Sequence, residues 1–176
     1  MNDTAATWTR YLGRAVGAAM MAVATLSALA GPVSANNGAE HATAEIHNGA
    51  GLLTGWAKFT EDATGVVHVN IHVKGLTPGL HGTHVHAVGL CEGPLFVSAG
   101  SHYNPSATLH GAHAGDLPNL AVNQAGVGHL NATTDYASLT ALAGRSLIIH
   151  AGEDDLVTNP TGNSGGRVGC GIITLQ

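Results

Sequence analysis

The clearest pattern of hydrophobic and polar positions in the chain is a strict alternation over Val67–Val73. A period of two is typical of a β-strand with one face buried and the other exposed to water. Weaker alternation predicts further strands at Ala42–His47, Leu53–Phe59, Val127–Thr133, Ser146–His150 and Arg167–Thr174. Turn-forming residues separate these segments, for example Asn48-Gly49 and Pro78-Gly79. Many short strands joined by turns predict an all-β sandwich or barrel without a long helix.

Two segments interrupt this succession of strands and turns. Gly89–Pro118 and Gly152–Gly166 are long, polar and rich in Gly, Asn and Pro. Long ordered loops in a small β-domain usually serve the function rather than merely connecting strands. We therefore expect the chemistry of the protein to involve both loops.

The first 35 residues predict a secretory signal peptide. Arg10 and Arg14 give a mildly positive start, and Ala15–Ala30 forms an uncharged apolar run that is shorter than the roughly 20 residues of a membrane-spanning helix. The small-residue pattern Val33-Ser34-Ala35 then predicts cleavage after Ala35, with an uncleaved anchor as the alternative. The predicted mature domain is residues 36–176, which we expect to be exported to a periplasm or secreted, with no membrane attachment.

Histidine is the unusual feature of the composition. The chain has 12 histidines, twice the combined number of lysines and arginines, which is 6. Removal of residues 1–35 takes away Arg10, Arg14 and Asp3, which leaves four basic and ten acidic side chains and a net charge of −6. Such a chain has no basic face for nucleic acid, and its aliphatic content excludes intrinsic disorder. The excess of histidine indicates metal binding instead.

The chain has only two cysteines, Cys91 and Cys170. Export to an oxidising compartment favours a disulfide between them. A pair of free thiols or a soft metal site is the alternative.

Seven residues are candidate metal ligands. His84 and His86 are two positions apart, so on a strand their imidazoles project from the same face. The other candidates, in and beside the long loops, are His102, His110, His113, Asp116 and His150. An imidazole-rich set suits Cu²⁺, and Zn²⁺ accepts four histidine or carboxylate ligands in a tetrahedron. Two four-ligand sites need eight ligands, so one imidazole must bind both metals.

Five segments of the chain resemble, in order, those of the copper,zinc superoxide dismutase family, especially its exported bacterial type. The segments are Gly79–His86, Ser98–Pro105, His110–Pro118, His150 with Asp154–Leu156, and Gly162–Gly171. The resemblance covers nearly all of the predicted mature domain. It implies an eight-stranded antiparallel Greek-key β-barrel or sandwich with two long functional loops.

The resemblance also implies a role for each candidate residue. The implied copper ligands are His84, His86, His102 and His150, and the implied zinc ligands are His102, His110, His113 and Asp116. Asp154 would link the outer nitrogens of one copper and one zinc histidine. Arg167 would guide and hold a substrate anion, and Cys91 and Cys170 would form the family disulfide.

The activity implied by the resemblance is dismutation of superoxide to O₂ and hydrogen peroxide, with copper alternating between Cu²⁺ and Cu⁺. Arg167 and the bridging His102 would be the catalytic residues, and the protein would be a monomer or a homodimer. The alternative is a non-catalytic copper- and zinc-binding domain of the same fold. A zinc hydrolase is disfavoured because the chain has no HExxH motif.

The remaining histidines receive no ligand role. His68 and His72 alternate with apolar residues, so we expect both on the solvent face of one strand. His41, His47 and His129 stand alone and are assigned to the surface, and the resemblance assigns His81 a structural role.

Overall fold

The structure is a computed structural model that describes residues 40–176. Within them the chain forms nine β-strands, which are β1 (Glu40–Asn48), β2 (Leu53–Glu61), β3 (Val67–Lys74), β4 (Gly79–His86), β5 (Asp116–Val122), β6 (Val127–Thr134), β7 (Ser146–His150), β8 (Arg167–Ile172) and β9 (Thr174–Leu175). A 3-10 turn at Val97–Ala99 and a short helix, α1 (Leu139–Leu142), lie between strands. No helix in this part of the chain is long and apolar enough to cross a membrane. The predicted signal peptide, residues 1–35, lies outside the described residues.

The strands form one closed antiparallel barrel. Neighbouring strands follow the order β2-β3-β6-β5-β4-β7-β8-β1, and β1 also pairs with β2, which closes the sheet. The connections from β3 to β4 and from β6 to β7 pass over intervening strands, as in a Greek key. The two-residue β9 follows β8 and pairs with β1. The predicted all-β, eight-stranded antiparallel barrel is confirmed.

The alternating residues of β3 show how the barrel interior is filled. Val67, Val69, Ile71 and Val73 are completely buried, and the polar residues between them face outward. Aliphatic side chains of the other strands and Phe59 complete one continuous core. Each such side chain contributes about 1.5–3 kcal/mol when it leaves water, so the period-two pattern fixes which face of each strand lies inside.

Strand β5 departs from the sequence prediction. The pattern predicts residues 116–118 as the end of the first long loop, but in the structure they begin β5, where Asp116 pairs with His84. The β4–β5 ladder has a register shift between His81 and Thr83. Leu117 lies in the barrel core and Asp116, opposite His84, faces the other side, yet both are buried, so the period of two is lost at the point where the sequence pattern would have revealed the strand.

The two long loops cover one outer face of the barrel. The first loop, residues 87–115, joins β4 to β5, and the second, residues 151–166, joins β7 to β8. Strands β4, β7 and β8 are neighbours. Their inward residues belong to the main core, so His84, His86 and His150 face outward, yet each is almost completely buried. The loops therefore enclose a second buried region between themselves and the outer face of the barrel.

A disulfide ties the first loop to β8. Cys91 is bonded to Cys170, with the Cα atoms 5.6 Å apart, which confirms the predicted pairing. Beneath the loop, Phe96, Ala99, Ile148 and Cys170 form a second hydrophobic cluster. The disulfide and this cluster together hold the first loop against the outer face of the barrel.

We predict that the double variant Cys91→Ala/Cys170→Ala loses about 4–5 kcal/mol of the free energy of unfolding, because the disulfide closes a long loop in the unfolded chain. The sequence separation of the two cysteines is 79 residues. Denaturant-induced unfolding of the metal-free protein measures this loss. The reduced wild-type protein is the control and should match the variant. A loss below about 1 kcal/mol would contradict a main structural role for the bond.

Candidate metal centre

The structure brings all seven candidate ligands into two adjacent groups. One group contains His84, His86, His102 and His150, and the other contains His102, His110, His113 and Asp116. Within each group, one ligand atom from every residue lies within 4.8 Å of the others. His102 belongs to both groups. Because β4, β7, β5 and the first loop supply these residues, the centre depends on the closed barrel for its assembly.

Three histidines of the first group are each fixed by a hydrogen bond from one ring nitrogen. His86 Nδ1 donates to the carbonyl oxygen of Gly100 at 2.9 Å, and His150 Nδ1 donates to that of Gly165 at 3.0 Å. His84 is held through its other ring nitrogen: its Nε2 lies 2.5 Å from a carboxylate oxygen of Asp154. Each ring is thus oriented before any ion arrives, as is common for metal-binding histidines.

The opposite ring nitrogens have no partner among the described residues. These buried, unpaired atoms are His84 Nδ1, His86 Nε2, His102 Nε2 and His150 Nε2, and His110 Nδ1 is a fifth. A buried polar atom without a hydrogen bond costs about 1–3 kcal/mol. The four in the first group face one another, so a single cation bound by four imidazoles would satisfy all of them at once.

The second group combines three imidazoles with one carboxylate. Asp116 Oδ1 lies 3.1 Å from His102 Nδ1 and 3.2 Å from His113 Nδ1. Its Oδ2 accepts hydrogen bonds from the backbone N–H of Gly111 at 2.8 Å and of His113 at 3.1 Å. His110 Nδ1 is 3.4 Å from the same oxygen without making a hydrogen bond to it. Three nitrogens and one oxygen are a donor set that suits tetrahedral Zn²⁺.

A buried carboxylate connects the two groups. Asp154 accepts a hydrogen bond from His84 Nε2 and another from His110 Nε2, which lies 2.9 Å from Oδ1. Burial alone would raise the pKa of Asp154, but these hydrogen bonds outweigh it and hold the pKa below its ordinary value. An ionised Asp154 thus fixes one histidine of each group in the orientation that presents the opposite nitrogen, Nδ1, to the metal.

Asn119 on β5 holds the backbone of Asp154 in place. Its amide nitrogen donates to the carbonyl oxygen of Asp154, and its amide oxygen accepts from the backbone N–H of Asp154, both at 2.8 Å. Sequence reasoning missed this residue, because the contact joins positions 35 residues apart and follows from no local pattern. Asn119 therefore fixes Asp154, the residue that links the two groups, relative to strand β5.

Burial keeps three histidines of the first group, His84, His86 and His150, neutral. Burial is the largest influence on all three barrel histidines: it lowers the pKa of His84, lowers that of His86 to about 2 and lowers that of His150 to about 4. In the second group burial opposes ionisation of Asp116, but hydrogen bonds from His102 and His113 hold its pKa at about 2. At neutral pH His84, His86 and His150 are therefore neutral imidazoles and Asp116 is a carboxylate, the forms that bind metal.

Arg167 lies beside the first group. It pairs with His150 across the β7–β8 ladder, and its guanidinium donates to the carbonyl oxygens of Phe96 and Gly100, each at 2.5 Å. The Gly100 oxygen also accepts from His86 Nδ1. Partial burial lowers the pKa of Arg167, which remains a cation at neutral pH.

The other histidines lie outside both groups. His81 is buried, with its ring nitrogens 2.6 Å from the carbonyl oxygen of His150 and 2.8 Å from that of Thr77, so it supports the backbone of a ligand. His68 and His72 lie on the outer face of β3, as the alternation predicts. His129 is also on the outer surface, but it contacts His72 rather than standing alone.

The structure is thus a closed β-barrel with two adjacent groups of four candidate ligands that share one histidine, and each group could hold a metal ion. The sequence profile of the copper/zinc superoxide dismutase family matches residues 53–173. The chain belongs to this family. The family implies copper and zinc as the metals, and the histidine groups can bind such ions.

Individual relatives agree with this assignment. The chain is 40% identical to "Superoxide dismutase [Cu-Zn] 2" of Mesembryanthemum crystallinum, over 74% of this chain and 93% of that protein. Among solved structures it resembles the Cu/Zn superoxide dismutase from Brucella abortus, with 31% identity, a TM-score of 0.68 and coverage of 76% and 99% of the two chains. It also resembles a SOD-like protein from Bacillus subtilis, with 34% identity, a TM-score of 0.69 and coverage of 74% and 96%.

We predict that Gly162→Ala weakens metal binding by about 10–100-fold, the usual cost of disturbing a group that orients a ligand. A Cβ at this position would lie 2.5 Å from His110 Nε2 and from the carboxyl carbon of Asp154. Competition with a chromophoric chelator measures the affinity. Gly144→Ala is the matched control, because Gly144 also has a positive φ, of +74° against +60°, but has open space around it. Equal affinities in the two variants would contradict the orienting role of Asp154.

We predict that the metal-free protein loses stability as the pH falls below about 6.5, the ordinary pKa of histidine. His84, His86 and His150 have lowered pKa values when folded, so the unfolded chain binds protons that the folded chain does not. The free energy of unfolding should fall by up to about 1.4 kcal/mol per pH unit for each of the three. Denaturant unfolding with a chelator present, from neutral pH to about pH 5, measures this slope.

The variant His86→Gln should show a shallower pH dependence, since it removes one of the three buried histidines with lowered pKa values. The matched control is His68→Gln, which removes an exposed histidine on β3. An unchanged slope in His86→Gln would show that the buried histidine does not govern the acid sensitivity.

Proposed function

We propose that the protein is a superoxide dismutase, which converts two superoxide anions and two protons into O₂ and hydrogen peroxide. The observation that carries this proposal is the set of four buried, unpaired imidazole nitrogens that face one another beside a fixed arginine. Four imidazoles suit Cu²⁺, and the adjacent set of three imidazoles and one carboxylate suits Zn²⁺. The assignment therefore places copper on His84, His86, His102 and His150, and zinc on His102, His110, His113 and Asp116.

Copper bound in the first group would supply the one-electron redox change that dismutation requires, whereas bound zinc has no redox change to offer. The chain's own residues then have to bind the anion, orient it and deliver protons. Arg167 and His102 are suited to these tasks by charge and position.

Arg167 binds and orients the superoxide anion. Two carbonyl oxygens, those of Phe96 and Gly100, fix its guanidinium, so its positive charge stays at the edge of the first group. This charge contributes to the lowered pKa values of His86 and His150, after the larger effect of burial. Because the second loop contains Glu153, Asp154 and Asp155 but no lysine, attraction of the anion depends on the local field around Arg167.

His102 holds a proton for the product. Its Nε2 is buried and unpaired, and its Nδ1 faces the second group. When Nε2 carries a proton, it can give that proton to the departing peroxide, and solvent supplies the second one. Asp116 holds the opposite side of the ring, so the imidazole keeps its orientation while Nε2 gains and loses the proton.

Export is part of the proposal. The predicted cleavage after Ala35 would release residues 36–176 into a periplasm or the medium, and an oxidising compartment would maintain the disulfide between Cys91 and Cys170. The proposed partner is the superoxide anion, and both a monomer and a homodimer fit the proposal.

The alternative function is metal binding without catalysis. One similar solved structure, from Bacillus subtilis, is described only as SOD-like, so likeness of fold does not by itself establish turnover. The presence of all four copper-group histidines and of Arg167 in this chain favours the dismutase.

The test is the rate of superoxide dismutation by residues 36–176 loaded with copper and zinc. We expect rapid, copper-dependent turnover that His150→Ala abolishes, because this variant removes one of four ligands from the first group. The matched control is His68→Ala, which removes an exposed histidine and should keep full activity. A wild-type protein that retains both metals without turnover would contradict the dismutase and favour the metal-binding domain.

A further inference from the structure

Two histidines meet on the outer face of the barrel, away from the metal centre. His72 on β3 and His129 on β6 are directly opposite in the antiparallel ladder. His72 Nδ1 lies 3.2 Å from both ring nitrogens of His129, and the ring centroids are 4.3 Å apart. The metal centre is built on β4, β5, β7 and the loops, so this outer histidine pair shares no ligand with it.

The barrel fixes the backbone positions of the two histidines. Residues 67–74 of β3 pair continuously with residues 127–134 of β6, and the side chains next to the pair, Ile71 and Leu130, are anchored in the core. The ring of His129 is exposed and that of His72 is partly exposed. An ion from solution can therefore reach both imidazoles without any opening of the fold.

We propose that His72 and His129 form a surface site for Cu²⁺, with water completing the coordination. His72 Nδ1 is equally distant from both nitrogens of His129, so it faces that ring rather than one of its lone pairs. Because the His129 ring is exposed, rotation about its side-chain bonds can turn one nitrogen toward a cation that His72 also binds. Imidazole ligands favour Cu²⁺ over the other common divalent metals.

The neighbours of the outer histidine pair define which ion it takes. The adjacent cross-strand pairs on the same face are Asn70 with Asn131 and Lys74 with Val127, which bring no carboxylate or thiol. Ca²⁺ and Mg²⁺ need several oxygen ligands, and a structural Zn²⁺ site needs four protein ligands. A site of two imidazoles open to water therefore selects Cu²⁺ among these ions.

The fluorescence of Trp56 reports directly on this site. It lies opposite His72 on β2, and the two rings stack with centroids 5.9 Å apart and an interplanar angle of 27°. The chain has two tryptophans, Trp8 and Trp56, so residues 36–176 contain Trp56 alone. Cu²⁺ quenches the fluorescence of a nearby indole, so quenching in this part of the chain reports on the outer histidine pair.

The experiment titrates CuCl₂ into residues 36–176, which contain the whole closed barrel, after copper and zinc loading and desalting. We expect saturable quenching of Trp56 with one further copper ion per chain, counted by equilibrium dialysis. Disturbing a group that only orients a ligand already costs about 10–100-fold in affinity, and we expect at least that loss in His129→Asn, which removes a ligand. His129→Asn is preferred to His72→Asn because it leaves the Trp56–His72 stack intact.

The matched control is His68→Asn, which removes another outward histidine of β3 without touching the outer histidine pair. It should bind the additional copper ion as the wild-type protein does. Unchanged quenching in His129→Asn, equal loss in His68→Asn, or absence of saturable quenching in the wild-type protein would each overturn the proposal. Because the measurement is fluorescence rather than turnover, its result is independent of the dismutase activity.

Discussion

The burial of imidazole nitrogens without hydrogen-bond partners is the constraint on which the rest of the structure depends. Five such nitrogens lie in the metal centre, and each unpaired buried group costs about 1–3 kcal/mol. The barrel core, the second hydrophobic cluster and the disulfide must offset this cost in the metal-free chain. Bound ions would remove it, so metal binding and folding stability are coupled in this protein.

One hydrogen-bonded unit orients one histidine of each ligand group. Asp154 accepts from His84 and His110, one from each group, and Asn119 fixes the backbone of Asp154 against β5. Gly162 packs so closely on this carboxylate that no side chain fits there. A shift of Asp154 would therefore disturb both groups together, and two sites built mostly from different residues behave as a single unit.

The sequence predicts those parts of the fold that depend on local patterns. Alternation reveals β3 because every second residue is in the core, but it does not reveal β5, because Leu117 is buried in the core and Asp116 is buried on the opposite face, among the candidate ligands. The candidate ligands are recognisable from motifs, whereas Asn119 is not, since its partner is distant in sequence. The contact of His72 with His129 likewise depends on the pairing of β3 with β6.

The disulfide supports the geometry of the candidate metal centre as well as the stability of the fold. It anchors the first loop to β8, and that loop supplies the carbonyl oxygens of Phe96 and Gly100 that fix Arg167. The Gly100 oxygen also accepts a hydrogen bond from His86, so a single carbonyl group orients both a candidate ligand and the guanidinium beside it. Opening the bond would free the loop and release both restraints. An oxidising compartment would thus preserve the geometry that we propose binds the metal and the anion.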